Sequence, residues 1–430
     1  MAFPIILGQL GLMLIGAGDV YIASMYSTSC VASIGVANSF INPILLFGVG
    51  LMMGISPSLS IKRGEGESDE NRLSSIIFYG LIIGVVLSFI TLIWNQLLPY
   101  FGLEESLVKP VMNYNKVVAW SFPFVTIFQS MKEYLQAREN VFFANLVAIL
   151  AVGANLALNY IFVFGFGEQV GVGEIGLAYA SVSIRFLTFI SLLIYLLKIE
   201  EKSKIDLSFC KSVFWFSLPI AFMFFLEVTA FCLVGVLGGR LSVVDAATHN
   251  IVLTMSSVAF MVPLALSSAV AVKVGHAFGA KEIAKVKESI SAAFVIISSY
   301  VTFSSFVFFF FATQLMIFSS SDEEVIKLGS TILFIVAIFQ IVDGFQVVLN
   351  GILRGLEKVR IPALFVLIGF WLLGIPLGVY LTFYQGYGIS GLWIGLAVAL
   401  FIMALCLAVY LFRSLRELPQ IFSKSSVIKS

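Results

Sequence analysis

Charged residues are scarce in this sequence, since only 11% of its 430 residues are Asp, Glu, Lys or Arg, whereas 60% are hydrophobic. A soluble domain of ordinary composition has about 25% charged residues to cover its surface. The mean hydropathy of +1.04 therefore indicates an integral membrane protein. A net charge of +1 gives no basis for a nucleic-acid partner, and we expect none.

Cysteine and histidine are also rare. The four cysteines fall in no CxxC or Cys/His ligand spacing, and only two histidines, His249 and His276, are available to join them. We therefore predict neither a zinc-type metal site nor a disulfide framework. Both histidines fall near the ends of apolar runs, so we expect them to be interfacial or structural, with a proton-linked role as the less favoured alternative.

Long apolar runs are what the sequence has in abundance. A helix needs about 20 apolar residues to cross the hydrocarbon core, and runs of that length lie between charged breaks. None alternates polar and apolar residues as the strands of a membrane barrel do. Twelve spanning helices are predicted, near residues 3–25, 33–60, 74–98, 110–131, 141–164, 176–197, 213–238, 246–272, 289–314, 326–351, 360–384 and 390–412.

The basic residues are divided unequally between the two sides of the predicted membrane. Twenty lie on one side, among them Lys132, Lys202 and Lys429, and only three lie on the other. The positive-inside rule makes the richer side cytoplasmic, so we expect an inner-membrane protein with both termini in the cytoplasm. Lys116 and Arg185 fall inside predicted spans, where they either snorkel to an interface or pair within the bundle.

The sequence repeats itself at an offset of 215 residues. Pro4 in AFPI corresponds to Pro219 in SLPI, and Gly176 in GLAYA corresponds to Gly391 in GLWIG. An even number of helices per repeat gives both copies the same orientation, with a cavity between them. We therefore predict two pseudo-symmetric six-helix bundles: an N-lobe at 1–197, a cytoplasmic connector at 198–212, a C-lobe at 213–415 and a cytoplasmic tail at 416–430.

Three carboxylates stand almost alone inside predicted spans: Asp19 in the first, Glu227 in the seventh and Asp343 in the tenth. An Asp at the centre of a spanning helix costs about 2.5 to 3.5 kcal/mol on an insertion scale. Such residues normally face a cavity, a partner or a transported ion, so we interpret all three as sites of cation or proton coupling. The alternatives are a protonated Glu227 that bonds another helix and an Asp343 that pairs with a structural cation.

Polar residues follow Asp343 along one face of its helix. Gln346, Asn350 and Arg354 lie three, seven and eleven residues after it, and Phe339 lies one turn before it. Positions at these intervals share a helix face. This C-lobe polar face is predicted to line an aqueous or ion-containing space.

Two asparagines lie one turn apart in the fifth predicted helix. Asn155 and Asn159 present amide and carbonyl groups on one face, and oxygen donors suit a hard cation. Asn in a membrane helix also commonly forms hydrogen bonds that hold neighbouring helices together. Together with Asp19, we interpret the pair as part of an N-lobe ion or proton network.

Several runs resemble the multidrug and toxic compound extrusion (MATE) transporters, specifically their NorM-like branch. They are HNIVLTMSSVAFMVPLALSSAVAVKVGHAFGA in the eighth predicted helix, LPIAFMFFLEV in the seventh, VDGFQVVLNGILRG in the tenth and NLALNYIFVFGFG in the fifth. The resemblance spans all twelve predicted helices. It implies a two-lobed antiporter that exports organic cations in exchange for Na⁺ or H⁺.

The resemblance also implies roles by position. Asp19 matches the acidic residue of the family's first helix, while Glu227 and Asp343 match its C-lobe cation site, which implies that Na⁺ can bind there. Ser181 falls where some members have a Thr of the N-lobe site, and Asn155 matches an Asn of that site.

Two positions depart from this pattern. Asn159 stands where some members have an Asp, although the amide is usual in the NorM-like branch. Phe339 stands where NorM-like proteins can carry a Tyr, and the lost hydroxyl removes one oxygen ligand. Coupling to H⁺ thereby gains ground over coupling to Na⁺.

We therefore expect multidrug or organic-cation efflux by Na⁺ or H⁺ antiport through alternating access of two lobes, and no enzymatic activity. No cofactor is expected besides the coupling ion. The expected partners are cationic or amphipathic small molecules and the lipid bilayer, and the chain is expected to act as a monomer. Two alternatives stay open: a lipid-linked or polysaccharide flippase of the same exporter superfamily, which would favour basic residues in the central cleft, and a nonselective channel.

Overall fold

The computed structural model describes residues 2–67, 72–101, 104–166, 169–200 and 204–427. Three predicted cytoplasmic segments fall partly outside this description: the loop after the second span at 68–71, the connector at 201–203 and the tail at 428–430. Lys202 and Lys429, two of the basic residues counted above, therefore lie outside the described residues as well.

Sixteen α-helices occupy most of the described ranges, as the long apolar runs predict. In chain order they are α1 Ala2–Tyr26, α2 Thr28–Met52, α3 Ile55–Gly64, α4 Leu73–Asn95, α5 Glu105–Ala119, α6 Phe122–Ala137, α7 Phe142–Phe164, α8 Ile175–Ile199, α9 Leu207–Leu241, α10 Val243–Gly279, α11 Ile283–Phe310, α12 Ala312–Ser319, α13 Glu323–Gly355, α14 Arg360–Val366, α15 Ile375–Phe383 and α16 Ile389–Val427.

Other secondary structure is limited within the described residues. A 3-10 helix covers Leu98–Phe101, and a π-helical segment, Leu367–Gly374, joins α14 to α15. Two-residue strands, β1 Gly165–Phe166 and β2 Gln169–Val170, pair antiparallel after α7. The prediction of an all-α membrane protein is confirmed.

Eleven helical stretches in the described part of the chain are long and apolar enough to cross a membrane. They coincide with eleven of the twelve predicted spans. The remaining one, 110–131, is broken into α5 and α6, of 15 and 16 residues. Pro123 explains the break at Trp120 and Ser121, because it has no N–H to donate to the carbonyl of Ala119 and is suited to the first turn of a helix.

Contacts divide the chain into two compact units. Unit 1 comprises Met1–Leu59 and Ser68–Ala221, and unit 2 comprises Ser60–Glu67 and Phe222–Ser430. The division therefore falls inside α9, just after Pro219. The lobe boundaries drawn from the sequence stay a prediction.

Ion pairs attach both described ends of the connector to unit 1. Glu200, after α8, pairs with Arg138, and Asp206, before α9, pairs with Arg72. Asp206 also accepts a hydrogen bond from the backbone N–H of Phe209 at 3.0 Å. That N–H and the Arg72 guanidinium hold the pKa of Asp206 below its ordinary value, so its charge and the pairing persist at neutral pH.

Within unit 2, α10 and α13 approach closely at Gly351, which has no side chain to separate them. A Cβ added to Gly351 would lie 2.3 Å from the backbone oxygen of Ser267. The Ser267 hydroxyl donates to the carbonyl of Val347 at 2.7 Å and accepts from Arg354 Nη2 at 2.8 Å. This close contact fixes α13, which carries Asp343, against α10.

Gly351→Ala is therefore expected to destabilise the protein by about 1 to 3 kcal/mol, because the added methyl group meets rigid backbone. The melting temperature in detergent measures the effect. The matched control is Gly239→Ala on α9, where no atom lies within 4 Å of the added Cβ. There we expect stabilisation of about 0.5 to 1 kcal/mol from helix propensity. Equal effects of the two substitutions would contradict the close packing.

Candidate ion-coupling sites

Glycines on α1 bring Asp19 to α7. A Cβ at Gly11 would lie 2.9 Å from the backbone oxygen of Ala148, and one at Gly18 would lie 3.1 Å from Asn155 Oδ1. These positions repeat at the seven-residue interval that keeps one helix face toward its neighbour. Glycine at these two positions thus allows α1 to pack directly on α7.

Asp19 is buried and closely surrounded by polar groups. Its Oδ1 accepts hydrogen bonds from Asn155 Nδ2 at 3.0 Å and from Asn159 Nδ2 at 2.7 Å. The Ser181 hydroxyl of α8 donates to Oδ2 at 3.3 Å, and Asn159 Nδ2 also donates to Asn155 Oδ1 at 3.1 Å. The structure therefore brings together all four residues of the predicted N-lobe network.

Arg185 lies next to this network on α8. Its Nη1 donates to the hydroxyl of Ser121 at 2.7 Å, and the guanidinium interacts electrostatically with Tyr114 and Asp19. Of the two alternatives for this arginine, pairing within the bundle is the one observed. Lys116 differs, because its side chain is exposed and lines a surface cavity of about 450 Å³.

The sequence did not indicate Tyr114, which is buried on α5 and interacts with Ser181 and Asp19. A tyrosine in an apolar helix carries no distinctive spacing. Only the packing of α5 against α8 places its hydroxyl beside the acid.

A second buried polar cluster in unit 1 was also missed. Glu133 on α6 accepts hydrogen bonds from Ser56 Oγ at 2.5 Å and from Gln129 Nε2 at 3.0 Å. Lys132 was assigned to a cytoplasmic loop but is buried next to it, and its Nζ has no hydrogen-bond partner among the described residues. The signal was present, because Gln129, Glu133 and Gln136 recur at helical spacing.

Unit 2 contains the other two carboxylates. Asp343 on α13 is buried, Glu227 on α9 is half-buried, and the two groups are close enough to interact electrostatically. Within the described ranges, no side chain donates a hydrogen bond to either carboxyl group. This pair is thus less satisfied by protein atoms than Asp19, and each group has free lone pairs for a proton or a cation.

An aromatic layer lies one helical turn from the pair. Phe231 follows Glu227 by four residues, Phe339 precedes Asp343 by four, and their ring centroids are 6.1 Å apart. Both rings also pack against Trp393 of α16, at 6.2 and 5.8 Å. Phe339 therefore contributes an apolar ring, and no oxygen ligand, to the surroundings of Asp343.

The predicted polar face of α13 lies in the interior of unit 2. Gln346 is fully buried, and neither its Nε2 nor its Oε1 has a hydrogen-bond partner among the described residues. Asn350 is half-buried, and its Oδ1 likewise lacks a partner there. Buried amide groups of this kind normally bond to water or to a ligand, as the predicted aqueous space requires.

A family model described as MatE matches the chain twice, over residues 4–161 and 219–380. The two matches begin 215 residues apart, which is the offset of the internal repeat.

Two curated relatives match nearly the whole chain. The multidrug resistance protein NorM of Photobacterium profundum is 25% identical over 428 residues, covering 96% of this chain and 93% of the relative. The probable multidrug resistance protein NorM of Photorhabdus laumondii is 26% identical over 423 residues, covering 95% and 93%.

Solved structures share the fold. The eukaryotic MATE transporter AtDTX14 aligns with a TM-score of 0.88 at 19% identity, covering 98% of this chain and 97% of its own. The Vibrio cholerae MATE transporter VcmN in the bent form gives 0.85 at 20%, covering 97% and 96%. A MOP superfamily transporter from Pyrococcus furiosus gives 0.89 at 16%, covering 97% and 95%; for that protein, reverse polarity of the binding pocket suggests a different function. A shared fold therefore does not determine the cargo.

Proposed function

The chain belongs to the MatE family, and from that premise we propose that it exports multiple cationic or amphipathic compounds in exchange for Na⁺ or H⁺. The multidrug resistance names of its NorM relatives support this choice of cargo. The observation that carries the proposal is the pair of interacting carboxylates, Glu227 and Asp343, in the interior of unit 2.

The carboxylate pair can couple ion entry to drug release. Two adjacent carboxylates repel each other, so one proton or one Na⁺ bound between them relieves the repulsion. Antiport requires that the ion and the drug prefer different conformations of the protein, because equal affinities shift no equilibrium. In this proposal a carboxylate pair that holds a proton or Na⁺ favours the conformation without bound drug, which then returns to the cytoplasmic side. A pair that holds no ion favours the drug-bound conformation.

Asp19 is suited to a different role from the pair. Two amide donors and a hydroxyl donor already bond its carboxylate, so it has fewer free lone pairs for an ion than Glu227 and Asp343 have. We propose that Asp19 titrates or binds an ion only when unit 1 rearranges and loses some of these hydrogen bonds. It then serves as a second coupling group with its own conformational requirement.

The proposed location is the inner membrane, with both termini in the cytoplasm. The twenty-to-three distribution of basic residues supports this orientation. In this arrangement α9 runs outward from the cytoplasm and α13 runs inward.

The surroundings of Arg185 favour a cationic cargo over the anionic headgroup of a flippase substrate. Arg185 bonds to Ser121 and interacts with Asp19, so its charge is already partly balanced within unit 1. An exporter of anionic cargo needs basic groups that are available to the ligand.

Transport in proteoliposomes tests the proposal. A Na⁺ gradient and a pH gradient are imposed separately, and ethidium, a fluorescent cation, is followed in vesicles with the wild-type protein. We expect one of the two gradients to drive ethidium accumulation, and that gradient identifies the coupling ion. Equal accumulation with and without both gradients would contradict antiport and would favour a nonselective channel. Transfer of an anionic lipid-linked substrate, with no ethidium transport, would favour the flippase.

A further inference from the structure

A buried histidine in unit 2 lies outside the coupling sites described above. His249 on α10 is only 1% exposed, although the sequence suggested an interfacial or structural position. Its imidazole hydrogen-bonds to the backbone of Phe231 on α9. It fits there because Gly235 has no side chain, since an added Cβ would lie 3.3 Å from His249 Cδ2 and Nε2.

These contacts fix how the imidazole can bond. Nε2 faces α9, so in the neutral ring Nε2–H donates to the carbonyl of Phe231 and Nδ1 keeps its lone pair. Nδ1 is buried and has no hydrogen-bond partner among the described residues. A buried acceptor that stays unsatisfied destabilises the fold, so it normally bonds to water or to a ligand.

The indole of Trp393, next to His249, has an unpaired donor that complements the unpaired acceptor of the imidazole. Trp393 is fully buried, its ring centroid lies 5.6 Å from that of His249, and its Nε1–H lacks a partner among the described residues. Another indole of unit 2, Trp371, does find one, because it donates to the carbonyl of Leu226 at 3.1 Å. An unpaired donor and an unpaired acceptor on adjoining buried rings suit a water molecule that accepts from one and donates to the other.

This site lies in line with the carboxylate pair. Gly235, against which His249 packs, follows Glu227 by eight residues, which is about 12 Å along the axis of α9. The aromatic layer of Phe231 and Phe339 lies between the two levels. In the proposed orientation, His249 and Trp393 lie on the outer side of this layer.

We propose that His249 and Trp393 bind a water molecule and form the outer station on the route of the coupling ion. A proton or a partly dehydrated cation that enters from outside first binds at this water. It then passes the aromatic layer of Phe231 and Phe339. Beyond that layer it reaches Glu227 and Asp343. His249 is a positioning residue here, because it orients the water through its Nδ1 lone pair. The role in transport rests on the proposed antiport, whereas the water site itself does not.

Nitrogen-15 NMR of labelled histidine tests the water site directly. The chain has only two histidines, and the exposed His276 can be removed by His276→Gln, so a single imidazole remains. We expect the Nδ1 signal of a hydrogen-bonded acceptor with magnetisation transfer from water, and a shift of that signal in Trp393→Phe. A signal typical of a bare lone pair that does not respond to Trp393→Phe would overturn the proposal.

Ion-driven ethidium export tests the role of the site. His249→Phe should slow export about tenfold, roughly the effect of one lost hydrogen bond, while ethidium affinity changes less than about twofold. His249→Asn, which keeps an acceptor near Nδ1, should restore part of the rate, and His276→Gln should match wild type. Wild-type export by a folded His249→Phe variant, with an unchanged melting temperature, would overturn the role. Failure of wild type to export would reject the antiport proposal and leave the NMR result standing.

Discussion

Asp343→Asn is expected to lower the steady-state drug accumulation in everted vesicles by about fiftyfold at a potential of about 100 mV. One elementary charge crossing that potential supplies about 2.3 kcal/mol, which corresponds to this ratio. The amide keeps the shape of the side chain but can neither release a proton nor balance a sodium ion. The ratio of drug inside to drug outside, measured under a fixed ion gradient, gives the result.

Two comparisons make this prediction specific. Glu324→Gln removes an exposed carboxylate from the first turn of the same helix and should leave accumulation unchanged. Glu227→Gln should match Asp343→Asn, and the double variant should lose no more than either single one, because two groups that act as a unit are not additive. Full ion-driven accumulation by Asp343→Asn would contradict coupling at this pair.

Asp19→Asn is expected to affect both stability and transport. The oxygen of the new amide can still accept from Asn155 and Asn159, but its NH2 group then faces Ser181, so the buried Ser181 hydroxyl loses its acceptor. The cost is about 1 to 3 kcal/mol, and the melting temperature in detergent should fall accordingly. Drug accumulation should fall too, because the only carboxylate of this network is lost.

Exchanging the two groups separates these effects. The double variant Asp19→Asn with Asn159→Asp returns one carboxylate and one amide to neighbouring positions on α1 and α7. It should recover the melting temperature, because donors and acceptors match again, and it should recover transport only in part. A melting temperature unchanged by Asp19→Asn alone would show that the hydrogen-bond network contributes little to the fold.

The sequence was sufficient to predict those features that depend on the residue pattern within a single helix. Apolar run lengths predict eleven of the spans, and helical spacing places Asn155 beside Asn159 on one face of α7. The structure adds that Gly11 and Gly18 let α1 approach α7, which brings Asp19 to both amides. Local periodicity and the high cost of burying a lone carboxylate account for this part of the site.

Information that depends on tertiary packing was not accessible in this way. The division between units falls inside α9, because the first part of that helix packs into the core of unit 1 through Phe209, Val213 and Ala221. From the sequence, His249 lies near the end of an apolar run. Its burial is explained only by the space beside Gly235 and by its packing against the ring of Trp393. No spacing in a single sequence reports such pairings.

Ion movement driven by a drug gradient tests the central claim most directly. Proteoliposomes are loaded with ethidium, no ion gradient is imposed, and the internal pH and Na⁺ are followed as the drug leaves. The account predicts that one of the two ions enters the vesicles at a fixed ratio to the ethidium that exits, and that this ion entry is absent in Glu227→Gln and Asp343→Asn. Ethidium exit with no ion entry in wild type, or unchanged ion entry in both variants, would contradict coupling at the carboxylates of unit 2.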